Sequence, residues 1–94
     1  MTRSSLQVPF MREIAAMFHA TKSRIDRRIV DAPKESKSII EDELRGLYHG
    51  LFVTFDGGTS LADDGLIRIV DEHGETFDRF LHEQCFAYWP QTGG

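Results

Sequence analysis

The residues with chemical potential in this 94-residue sequence are four histidines, one cysteine and an acidic glycine-bearing loop. His82-Glu83 opens like a zincin helix, where two histidines four residues apart bind zinc beside a glutamate base. The second histidine would fall at position 86, which is Phe86. That motif is therefore absent. The alternative is a dispersed site. His49, Asp56, His82 and Glu83 are residue types that bind a metal ion or a small polar ligand. They meet only if a C-terminal helix packs beside the end of the second helix. Cys85 needs a nearby base or cation to become a nucleophilic thiolate, and His82 is the local candidate. Its neighbours Phe80, Leu81, Phe86 and Tyr88 make a buried structural thiol the expectation.

Asp56-Gly57-Gly58-Thr59-Ser60 resembles the phosphate loops of sugar-kinase-like ATPases, in which glycines let the backbone approach an anion. Those loops carry an extra residue between the aspartate and the glycines, and their fold needs a far longer chain. The lysine-bearing P-loop pattern is also missing. The segment is expected to be a loop with special backbone angles. Ser60–Asp71 places Gly65 at the sixth position of an EF-hand-like window. However, Ala62 stands where an oxygen ligand is required, so calcium binding is rejected. The carboxylate pairs Glu41/Glu43 and Asp71/Glu72 read as solvated surface rather than acid–base machinery.

Charge is unevenly divided. Residues 1–37 hold eight basic and four acidic side chains, a net +4, and residues 38–94 hold three and eleven, a net −8. Lys22, Arg24, Arg27 and Arg28 lie within two helical turns, a spacing able to neutralise phosphates. Asp26 interrupts them and no aromatic stacking motif accompanies them. A solvated or protein-contacting face is preferred over nucleic acid. The division of charge is expected to bring basic and acidic halves together, within one fold or between two copies.

These residues must be positioned by few elements. Length and composition fit one thin-cored globular domain over 1–94, with residues 1–7 and 90–94 expected to be flexible. One cysteine, no secretory signal and no long apolar run make the cytoplasm the expected location. Met11, Ala15, Phe18, Ile25 and Ile29 form a stripe predicting a helix from Pro9 to Val30. The stripe covers under three heptads, too little to define a coiled coil. Asp31-Ala32-Pro33 breaks it. A second helix is predicted over Lys34–His49, with Ser38 and Glu41 at capping-box spacing and Gly50 ending it. The two form an αα-hairpin.

Leu51–Phe55, aromatic and β-branched, then reads as a strand, and Leu66–Val70 as a second. Residues 75–77 are a candidate third strand after a His73-Gly74 turn. Asp78–Trp89 is assigned a closing helix. The expected fold class is α+β: an αα-hairpin, a small antiparallel sheet and a C-terminal helix.

No catalytic, cofactor or metal assignment follows. The leading expectation is a non-enzymatic, self-associating protein-interaction module of the regulatory or immunity type. Met17, Lys22, Arg24, Arg28, Tyr88 and Trp89 are its candidate interface residues. The alternatives are a ligand- or metal-binding domain built on His49, Asp56, His82 and Glu83, and nucleic-acid binding through the first helix.

Overall fold

The computed structural model describes residues 5–77 and 80–90. The first helix, α1, spans Gln7–Asp31. Pro9 lies in its first turn, where backbone N–H groups lack intrahelical acceptors in any case. Arg28 lies in its last turn, where a cation complements the helix dipole. Pro33 bars Ala32 from the helical conformation, so α1 stops there. The Ala32 N–H still donates to the Arg28 carbonyl. A 3₁₀ turn over Pro33–Glu35 reverses the chain into α2, Ser36–Phe55. The two helices pack antiparallel, as the sequence predicts.

α2 corrects two expectations. Gly50 does not end the helix, and Leu51–Phe55 is not a strand but its last turns. Gly50 instead admits a close approach, since a Cβ there would lie 2.8 Å from Met17 Cε. Beyond it, Tyr48, Phe52 and Phe55 meet at helical spacing, with ring centroids 5.0 Å and 6.2 Å apart. Leu47 and Thr54, seven residues apart, are both buried. The Thr54 hydroxyl donates to the Gly50 carbonyl four residues back, at 2.9 Å. Packing on both sides of one helix overrides the strand propensity of the segment. The capping box is also absent. Ser38 Oγ donates to the Glu35 carbonyl instead, and the helix starts two residues earlier.

The predicted sheet is absent among the described residues, so the fold is all-α rather than α+β. Leu66–Val70 is not a strand. Its one β-bridge joins Val70 to Thr76, the remnant of the proposed third strand. The reversal between them is held locally. Asp71 Oδ1 accepts from the His73 and Glu75 N–H groups, and Gly74 takes the left-handed φ of 81° that closes the turn. Without a second ladder, two extended segments cannot pair into a sheet.

The long closing helix is likewise replaced. Only Leu81–Gln84 forms α3, followed by a 3₁₀ turn over Cys85–Ala87. Asp78, its predicted start, lies outside the described residues. Phe80, with φ 66°, turns the chain into α3. An L-residue adopts that left-handed angle at a cost of about 1–2 kcal/mol, so other contacts must hold it. Residues 1–4 and 91–94 of the predicted flexible ends also lie outside the described residues.

α2 is thus the central element, with α1 on one side and the C-terminal strap, 80–90, on the other. The apolar side chains buried among the described residues are Ile39, Leu47, Leu61 and Cys85. Gly46 lies on the exposed part of α2 with nothing within 4 Å of a built Cβ. Gly46→Ala is therefore expected to stabilise the protein by about 0.5–1 kcal/mol, by removing backbone freedom from the unfolded chain. Urea denaturation measures this.

Candidate functional site

The strap is fastened to α2 at three levels. At the α3 end, Asp56 follows the last turn of α2 and its side chain is only 5% exposed. Its Oδ2 accepts the His82 backbone N–H at 2.8 Å and the His82 ring at Nδ1, at 2.5 Å. An ionised carboxylate only accepts, so Nδ1 carries the proton. Asp56 thereby supplies the N-terminal cap that α3 lacks locally. Burial alone pushes the Asp56 carboxyl up. The His82 N–H, the His82 ring and the Leu81 N–H outweigh burial together, so the carboxyl lies below its ordinary value.

In the middle, the Tyr48 hydroxyl donates to the Cys85 carbonyl at 2.9 Å. The Arg45 guanidinium sits 4.9 Å over the Phe86 ring. At the far end, Trp89 Nε1–H donates to Glu41 at 2.9 Å, and its ring lies 4.9 Å from that of Tyr48.

The histidines converge. His49 and His82 have ring centroids 5.7 Å apart, and His49 stacks on Phe86 at 5.3 Å. The structure therefore brings together three of the four residues singled out: His49, Asp56 and His82. Glu83 is exposed on α3. No group of three His, Cys, Asp or Glu able to hold a metal ion occurs among the described residues. Cys85 is buried, and its thiol donates to the His82 carbonyl at 3.3 Å rather than to the ring. This is the structural thiol that its apolar neighbours predict. Beside the clasp, a cavity of about 360 Å³ opens between the end of α2 and the 66–77 segment, with Asp56 and Arg68 among its lining residues.

The candidate interface residues divide. Met17 is not on an outer surface but packs over Gly50 and within 3.4 Å of Thr54 Oγ1, inside the hairpin. Arg24 pairs with Glu43 at 2.9 Å, and Arg28 with Glu43 at 3.0 Å and Asp42 at 3.2 Å. Hydrogen bonding from Arg24 holds the Glu43 carboxyl below its usual range against burial, with Arg28 adding to it. Lys22 pairs with Asp26 one turn on. The basic helix thus meets the acidic start of α2 within one chain. Trp89 is half-buried in the strap, while Tyr88 is 77% exposed.

The stripe that predicts α1 lies partly on the open side of the hairpin. Met11 is 60% exposed, Phe18 50%, Ile40 40% and Leu44 42%. On α1 the row Val8, Met11, Ala15, Phe18 lies about a third of a turn, in the direction of rising residue number, from the row facing α2. On α2, Ile40, Leu44 and Leu51 lie about a quarter of a turn from Glu43 and Gly50, which meet α1, in the same sense. In two antiparallel helices, equal senses of rotation lead to the same side of the pair. The two rows therefore lie on the same side of the hairpin.

Fold and site together define a class: an all-α helical hairpin clasped by a C-terminal strap, with one apolar side open. No family model, curated protein or solved structure matches the chain.

Proposed function

We propose that this chain is a non-enzymatic protein-interaction module that self-associates through the open apolar side of the α1–α2 hairpin. The observation that carries this reading is that Met11, Phe18, Ile40 and Leu44, each at least 40% exposed, lie on one side of the hairpin. A large, contiguous apolar patch on a small protein marks an interaction site. The Asp56–His82 pair serves this module structurally, by holding the strap on α2 across from α1.

Light scattering after size exclusion tests the reading. The wild-type chain is expected to run as an oligomer at micromolar concentration. Phe18→Glu places a charge in the centre of the face and is expected to yield monomer with unchanged helicity. Val30→Glu, at a position 79% exposed and outside both rows, is expected to leave the oligomer intact. A wild-type monomer at all concentrations would overturn the proposal.

A further inference from the structure

We infer that the open hairpin face is filled by a second copy of this chain, docked with α1 antiparallel to α1 about a twofold axis near Phe18. This rests on the interaction reading above and specifies its partner and geometry.

Area argues for a second copy of comparable size. The accessible surface is 7347 Å². A folded monomer of 10.7 kDa exposes roughly 5,500 Å². The molecule is elongated, 50 × 28 × 21 Å, and the surplus leaves room for the ~800 Å² per partner of a standard interface. A twofold interface must be self-complementary. The α1 row is built for that. Val8, Met11, Ala15, Phe18, Lys22, Ile25 and Ile29 alternate spacings of three and four, with Phe18 at the midpoint. Antiparallel docking about Phe18 therefore overlaps the whole row with itself. Lys22 is the one charged residue in it, and a single polar residue at such a position is a known device for fixing register.

Charge selects the orientation. Two twofold arrangements bury the same face. An axis parallel to the helices sets like ends side by side. An axis perpendicular to them sets opposite ends together. The loop end, 57–77, carries Asp63, Asp64, Asp71, Glu72 and Glu75 against Arg68. The turn end, residues 27–43, carries four cations against five acids and is close to neutral, with Lys34 and Lys37 exposed on it. The parallel axis would juxtapose two strongly acidic loops. The perpendicular axis relieves that repulsion by placing each acidic loop beside the near-neutral turn of the other copy, which bears Lys34 and Lys37, and avoiding like-charge juxtaposition orients association.

Site-directed disulfide trapping tests the geometry. Phe18→Cys is expected to form a covalent dimer on mild oxidation, while Val30→Cys, whose two copies would stand at opposite ends, is not. Lys34→Glu with Lys37→Glu is expected to raise the dimer dissociation constant about tenfold at low salt, the effect shrinking as salt screens it. Phe18→Cys chains that remain dimeric by light scattering yet fail to cross-link would overturn the antiparallel arrangement and leave self-association standing. A salt-independent dimer unaffected by the lysine reversals would overturn the charge argument for it. Wild-type chains that stay monomeric would overturn both readings.

Discussion

Asp56→Ala is expected to destabilise the protein by about 3 kcal/mol, and to do so by releasing the strap. Hydrogen bonds to a charged group contribute about 1.5–3 kcal/mol each, and donors left buried without a partner add their desolvation cost. Asp56 accepts two such bonds from His82 and caps α3, which the chain enters through the left-handed Phe80. Hydrogen exchange should show protection lost over 81–89 while α1 keeps its own. A loss below about 0.5 kcal/mol with protection unchanged would show that Tyr48 and Trp89 hold the strap without the clasp.

The same carboxylate sets a pH dependence. Its folded value lies below the ordinary 3.8. The unfolded chain therefore binds the proton more readily, and stability rises with pH through that window. The contribution is complete above the ordinary value and is lost as pH falls through the depressed one. In Asp56→Asn this acid-side slope should diminish, read from urea midpoints between about pH 2 and 5.

Leu47→Ala is expected to cost about 2–5 kcal/mol, the range for truncating a buried leucine. Leu47 is one of the four buried apolar side chains among the described residues. With total stability of about 5–14 kcal/mol for this length, such a loss is a large fraction of the whole. Leu44→Ala, three residues away on the open face, should cost far less in the isolated chain, because its side chain is already 42% exposed. If Leu44→Ala proves as costly as Leu47→Ala under associating conditions, the open face is buried in the native assembly. Calorimetry at two protein concentrations separates the two contributions.

Much of the hairpin was legible from residue order. A stripe at spacings of three, four and seven predicts α1 wherever it packs, because 3.6 residues per turn forces those side chains onto one side. Pro33 ends it by local sterics alone. Leu51–Phe55 was not legible, since a short apolar run satisfies helical and strand spacing equally. Gly50 compounded the misreading. It resembles a helix stop, yet its role is to let Met17 approach. The candidate site was half legible. Histidine and aspartate types flagged His49, Asp56 and His82, but not that Asp56 would cap a helix beginning 25 residues later.

Residue order by itself determined α1, the break at Ala32-Pro33, the antiparallel hairpin and the basic-to-acidic division of charge. Each follows from interactions within a few residues or from composition. Tertiary structure alone decided that α2 runs on to Phe55, that Asp56 clasps His82, that Arg24 and Arg28 are spent on Asp42 and Glu43, and that Met11, Phe18, Ile40 and Leu44 stay outside. Those outcomes depend on which faces meet across 14 residues or more, and no local spacing records that.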